Sequence, residues 1–173
     1  MPEIQQGSPE WKQLRCGMIT GSGITNVLAE GKGGAEATTR RNYRLRLANE
    51  RMTGKPQDDD RYFGKPMRWG KETEAAARIA YECRTGVFVD QVAFVVHPTI
   101  PYCGYSPDGL IGDDGVLEAK APNTATHSEY ILTAKRFSFQ DRARIIPTAY
   151  RRQCQMGIFV TERGEDTEPA KEV

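Results

Sequence analysis

Ser106-Pro107-Asp108-Gly109-Leu110-Ile111-Gly112-Asp113-Asp114-Gly115-Val116-Leu117-Glu118-Ala119-Lys120 is the stretch on which the reading of this chain turns. Two apolar segments flank Gly112-Asp113-Asp114-Gly115, so the stretch predicts a β-hairpin with an Asp-Gly turn. Side chains alternate between faces along a strand. Asp108 and Glu118 can therefore converge on one face of the paired strands, Ala119 points away, and Lys120 returns to the face of Glu118. Two carboxylates and an ammonium then share a patch.

Carboxylates in a cleft suit a hard cation such as Mg2+, with water, a substrate phosphate and the carbonyl of Ala119 completing its shell. A neighbouring lysine beside a phosphodiester can orient the attacking water and offset developing negative charge, while the metal lowers the pKa of that water. The competing reading is a Glu118–Lys120 pair on a solvated strand, worth ~0–1 kcal/mol. Gly104, Pro107 and Gly109 favour the site, because turn residues around Asp108 place its carboxylate at a strand end.

Upstream, Pro9 to Arg15 reads as a short helical turn, and Thr20-Gly21-Ser22 supplies capping residues for a second helix through Ile24, Val27 and Leu28. A third helix is predicted from about Thr38 to Met52, closed by Thr53-Gly54-Lys55-Pro56, with a loop at Asp58-Asp59-Asp60. Ala75-Ala76-Ala77 marks the strongest helix, from Trp69 to Tyr81, with Trp69, Thr73, Ala76, Ala77 and Ala80 on one side. Val87-Phe88-Val89 and Val92 to Val96 have the composition and length of strands. Pro147 opens a last helix through Tyr150, Gln153, Met156 and Gly157 to Val160. From Thr161 the chain is too polar to pack.

With 173 residues, 38% hydrophobic and 27% charged, the chain suits one α/β domain, with a central mixed β-sheet flanked by helices. No apolar run approaches the ~20 residues of a membrane span, and Met1 to Gln6 lacks the pattern of a secretory signal, so a cytoplasmic location is expected. Cys16, Cys83, Cys103 and Cys154 form no CxxC pair; they are expected to be buried or semi-buried thiols rather than zinc ligands or disulfides. The net charge of +1 does not exclude a DNA partner, because charge segregates. Arg40, Arg41, Arg44, Arg46 and Arg51 form one basic stretch, and Lys135, Arg136, Arg142, Arg144, Arg151 and Arg152 another, each either a DNA contact or a solvated helix face.

Asp108 followed by Glu118-Ala119-Lys120 resembles the PD-(D/E)xK nuclease motif, and the wider sequence is similar to the phage lambda exonuclease and YqaJ-type viral recombinase family. Trp11 to Arg15, Gly17 and Ile19 to Ser22 resemble that family's N-terminal signature. Trp69 to Glu74 resembles its helix, and Tyr150 to Gln155 a later one. Together the motifs span residues 8 to 160.

The resemblance implies a restriction-endonuclease-like fold, with residues 1–160 as a single nuclease domain and 161–173 as a disordered polar tail. It implies Asp108, Glu118 and the Ala119 carbonyl as metal ligands for Mg2+, with Mn2+ as a substitute, and Lys120 as the residue that positions the nucleophile. Glu74 matches the helix acid, with Glu72 as its substitute; by its own spacing Glu74 could equally form an i,i+4 pair with Arg78. Gln153 matches an active-site glutamine. Arg15, Ser22 and Ser106 match a pocket for a 5′-terminal phosphate, although Ser22 could equally be a helix cap. The implied activity is 5′→3′ exonuclease digestion of double-stranded DNA ends in phage-type recombination inside a bacterial host, with a single-strand annealing protein as partner and a homotrimer as assembly. An endonuclease or repair nuclease, and an inactive DNA-end-binding relic, are the alternatives. The family continues past Met156–Thr161 with an aromatic-rich strand, so this chain is expected to be C-terminally truncated and to lack one core strand.

Overall fold

The computed structural model describes residues 4–57, 65–137 and 146–163, with 65–72 as helix backbone alone. The expected loop at Asp58-Asp59-Asp60, the side chains of Trp69 to Glu72, Arg142 and Arg144 of the second basic stretch, and the tail from Gly164 lie outside those residues.

Helix α1 (Pro9–Leu14) begins where Ser8 accepts the N–H of Trp11 at 3.1 Å and where proline costs no hydrogen bond. Strand β1 (Ile19–Thr20) leads through a 3₁₀ turn at Gly21–Gly23 into α2 (Ile24–Val27). No side chain caps either of these helical segments. Ser22 is thus not the expected cap, and its hydroxyl is instead 3.2 Å from the Arg15 guanidinium.

Helix α3 (Thr38–Thr53) buries Tyr43, Leu47 and Glu50 and stops at Gly54 in the left-handed conformation, φ 65°. Its basic stretch is mostly occupied within the fold. Arg40 donates to the Val27 carbonyl and Arg51 to that of Gly17, both at 2.7 Å. Arg44 pairs with Glu36 at 3.2 Å, and Arg46 lies over the Tyr43 ring.

Helix α4 (Lys65–Thr85) extends beyond the expected Trp69 to Tyr81 at both ends. Its buried face also differs. Ala76, Ala77 and Ala80 are exposed, whereas Glu74, Arg78 and Glu82, one turn apart, are half-buried. Alanine propensity favours the helix but does not say which face packs, and the polar row is used: Glu82 accepts the N–H of Val89 at 2.9 Å. Cys83, on this helix, is exposed rather than semi-buried.

Strands β2 (Val95–Val96) and β3 (Cys103–Tyr105) form a three-stranded sheet with β1, in the order β1-β3-β2, β1 parallel and β2 antiparallel to β3. Val87 to Val89 contributes no strand, although Asp90 bridges to Leu110. The hairpin forms as expected from β4 (Gly109–Ile111) and β5 (Gly115–Leu117), with Gly109 opposite Leu117 and Gly112 at φ 52° in the turn. It is a separate two-stranded sheet and not part of one central mixed sheet. Pro107, which lacks an N–H, lies between β3 and β4 in the chain, where the two sheets part.

Helix α5 (Thr124–Ala134) is capped by Asn123, which accepts the N–H of Thr126 at 2.9 Å. Helix α6 (Thr148–Thr161) crosses β3, and the core gathers Cys103, Tyr105, Met156 and Val160, with Ile19, Ile24, Val95 and Val116 against it. Thr161 belongs to α6 and Arg163 donates to the carbonyls of Gly112 and Gly115 at 2.9 and 3.1 Å, so the chain packs slightly beyond the expected boundary at 160. Among the described residues no helix is long and apolar enough to cross a membrane.

Candidate active site

The hairpin register sets the site. Because Gly109 faces Leu117, Asp108 and Glu118 sit opposite each other just outside the two strands, and the N–H of Asp108 donates to the Leu117 carbonyl at 3.1 Å. The Asp108 Oδ2 atom in turn accepts the Ala119 N–H at 2.7 Å. Two further groups hold the Asp108 backbone region: Arg78 donates to its carbonyl at 3.4 Å, and Gln6 donates to the Pro107 carbonyl at 2.7 Å.

Glu118 is the hub. Its Oε1 accepts hydrogen bonds from Lys120 Nζ and, at 2.6 Å, from Gln153 Nε2 on α6, while its Oε2 accepts the Tyr105 hydroxyl proton. The Glu118 side chain is 6% exposed, so the Glu118–Lys120 contact is not the solvated surface pair that spacing alone allowed.

Tyr105 was not among the residues singled out by sequence, since an aromatic in a strand reads as core. It is core, at 1% exposure, and its hydroxyl reaches the site. A Cβ at Gly21 would come within 2.5 Å of its ring, and one at Gly157 within 2.8 Å. Backbone from the 3₁₀ turn and from α6 thus closes on this ring and aims its hydroxyl at Glu118.

These residues line one cavity of about 350 Å³ that also reaches Glu74, Arg15, Ser22, Ser106 and Tyr150. Glu74 faces it but pairs with Arg78 at 3.8 Å. The structure therefore brings Asp108, Glu118, Lys120 and Gln153 into one network and leaves Glu74 at its edge.

At the Arg15 part of the cavity, the Trp11 indole N–H donates to Ser106 Oγ at 2.9 Å and to the Ala93 carbonyl at 3.0 Å, and the Arg15 guanidinium lies 3.9 Å over its ring. Trp11 is therefore the link between Arg15 and Ser106, a bridge across most of the chain that motif spacing does not disclose. Arg15 also contacts Thr20 and Ser22, at 3.3 and 3.2 Å, yet its buried Nε has no hydrogen-bond partner.

Burial dominates the electrostatics at both places. Desolvation first, and then the charge of Glu118, push the Asp108 carboxyl up to about 7, with Glu74 adding to the rise and the Ala119 N–H and Lys120 opposing it. Burial lowers Arg15 to about 10. Burial, followed by the charge and hydrogen bond of Glu118, raises Tyr105, which stays a neutral donor.

The donor set suits a hard cation. Asp108 and Glu118 offer oxygen only, and a cation would offset both the burial that chiefly raises Asp108 and the neighbouring charge of Glu118 that adds to it. Among the described residues no group of three or more His, Cys, Asp and Glu side chains converges. A carboxylate pair leaves coordination positions for water and substrate phosphate, the pattern of Mg2+ rather than of a closed structural cage.

Known proteins match this chain at the level of family and fold. The crystal structure of an alkaline exonuclease (LHK-Exo) from Laribacter hongkongensis superposes with a TM-score of 0.72 at 35% sequence identity, over 90% of this chain and 70% of that one. LHK-Exo in complex with dAMP gives the same values. No curated protein matches. Residues 10–164 match the YqaJ-like viral recombinase domain. On that match and on the likeness to LHK-Exo, this chain belongs to the YqaJ-like viral recombinase family, the lambda exonuclease-like family that its motifs resemble.

Proposed function

We propose that this protein is a magnesium-dependent exonuclease of the PD-(D/E)xK type that digests linear double-stranded DNA from 5′-phosphorylated ends. The observation that carries the reading is a single cavity with the buried Glu118 carboxylate, Lys120 and the half-buried Asp108 in one part and a half-buried arginine whose buried Nε has no partner in another. That combination suits a phosphodiester beside a cation together with a second, terminal phosphate. The alkaline exonuclease activity named for the similar protein agrees with it.

Asp108, Glu118 and the Ala119 carbonyl would hold Mg2+, with Mn2+ as a substitute. The metal, when bound, lowers the pKa of the attacking water and offsets charge on the phosphoryl oxygens. Lys120 donates toward the attacking water and the scissile phosphate and keeps that water in line. Gln153 and Tyr105 fix the rotamer of Glu118, so the carboxylate needs no rearrangement when substrate arrives. Arg15, over the Trp11 ring, and the hydroxyls of Ser22 and Ser106 receive the 5′-terminal phosphate. Glu74, held by Arg78, adds negative charge beside Asp108. A role in phage-type recombination with a single-strand annealing partner, inside a bacterial cell and as a trimer, is the setting we propose from the family.

The test is digestion of linear duplex with and without a 5′-phosphate, against a closed circle, in Mg2+. The expected result is metal-dependent loss of the phosphorylated linear duplex with the circle intact. Cutting of the circle would replace the exonuclease by an endonuclease, and salt-sensitive end binding without digestion in either Mg2+ or Mn2+ would leave only a binding module.

A further inference from the structure

A second cavity, of about 370 Å³, opens directly off the Lys120 side of the site. It shares Glu118, Lys120, Pro122 and Tyr150 with the catalytic cavity and continues along α5 past His127 and Tyr130 to Pro147. Its character changes abruptly at that boundary. The catalytic cavity is ringed by charged and hydrogen-bonding groups, whereas this groove is walled mainly by rings and aliphatic carbon, with Tyr150 standing between the two and its ring centroid 5.4 Å from Lys120 Nζ.

We propose that this groove is a nucleobase subsite that stacks the base of the nucleotide on the 3′ side of the scissile phosphate. The assignment rests on the nuclease reading above. A polynucleotide alternates phosphate with a flat aromatic base, so a phosphodiester bound at Lys120 has a base within one nucleotide's length. An aromatic groove contiguous with that position matches the base and not the phosphate. Direction follows from the cavity linings: Arg15, Ser22 and Ser106 line the catalytic cavity but not the groove. With the terminal phosphate at Arg15 and the cut at Lys120, the strand beyond the cut leaves toward Tyr130. Stacking on rings accepts any of the four bases, because every base has a π-face, which suits an enzyme that removes nucleotides without regard to sequence.

The experiment compares single-turnover digestion of a 5′-phosphorylated duplex, intact or with an abasic residue at the second nucleotide, by wild type, Tyr130→Ala and Tyr130→Phe. The abasic residue slows the wild type about tenfold, Tyr130→Ala slows the intact duplex about as much, and the two together slow no further. Tyr130→Phe keeps the ring and behaves as wild type, which assigns the effect to the ring and not to the hydroxyl, while a lost fold would slow the abasic duplex further as well. Additive losses, or a Tyr130→Ala rate equal to wild type on the intact duplex, would overturn the base subsite and leave the nuclease reading standing. Binding read without turnover, from 2-aminopurine at the second nucleotide in Ca2+, decides the groove even for an enzyme that fails to cut. Quenching by wild type and not by Tyr130→Ala supports it, and equal quenching overturns it.

Discussion

The two parts of the catalytic cavity carry opposite electrostatic burdens. Both Glu118 carboxylate oxygens are hydrogen-bonded within the protein, yet burial first and then the charge of Glu118 push Asp108 up to about 7. Around Arg15 the charged group is a cation: burial lowers the guanidinium to about 10, and its Nε finds no hydrogen-bond partner. Neither part can relieve the other through the contacts the structure holds. The contrast matches the proposed cation in one part and terminal phosphate in the other, and substitutions in the two parts act for different reasons.

The sharpest break in this comparison is Asp108→Ala or Lys120→Ala. Either change lowers Mg2+-dependent digestion by at least about 10³-fold, with a native circular dichroism spectrum. Undiminished digestion by either purified variant would remove the mechanism.

Arg15→Ala tests the cationic part alone. Charge-assisted contacts of ~1.5–3 kcal/mol convert to a loss of roughly 10- to 150-fold in kcat/KM on 5′-phosphorylated ends. Digestion of 5′-hydroxyl ends should hardly change, and an equal loss on both ends would show that Arg15 serves the fold and not the phosphate.

Tyr105→Phe keeps the packed ring and removes one donor to Glu118. The expected cost is about 1 kcal/mol of stability, read by urea unfolding, together with a drop in kcat on the order of tenfold. A change in KM alone would argue against a part in positioning Glu118.

The smallest effect concerns pH. The Asp108 pKa in the folded protein lies above the ordinary carboxyl value of 3.8, at about 7, so the folded state binds the extra proton. The stability this contributes is fully present below pH 3.8 and is lost as pH rises through about 7. Without divalent cation, thermal stability should therefore decline between these limits, and the gain in Tm on adding Mg2+ should be larger at pH 8 than at pH 5. A pH-independent gain would place the cation away from Asp108.

Much of this was legible in the sequence, because hairpin and helix signals are local. Turn residues at Gly112 to Gly115 and strand alternation specify which carboxylates face each other, and Pro147 and Gly54 mark helix ends that the structure keeps. Residues whose role depends on a distant partner were not legible. Tyr105 and Trp11 carry no sign of the Glu118 and Ser106 they reach, and the arginines of α3 read as a free basic stretch because the carbonyls they bind, Val27 and Gly17, lie on another segment. On α4 the alanines suggested the packed face, whereas the Glu74, Arg78 and Glu82 row turns inward. A local rule failed there because the helix borders a polar site.

The bridge from Trp11 to Ser106 also bears on when the enzyme can come into being. The two partners are 95 residues apart, and Gln153 lies 35 beyond the Glu118 it binds. At a synthesis rate of ~5–20 residues per second, Ser106 follows Trp11 off the ribosome by roughly 5–20 s. Through that interval the indole N–H lacks its Ser106 partner, and a nascent chain that stops short of Gln153 cannot close the network around Glu118. The proposed site is thus complete only once the chain has been made through Gln153, whatever the order in which its parts fold.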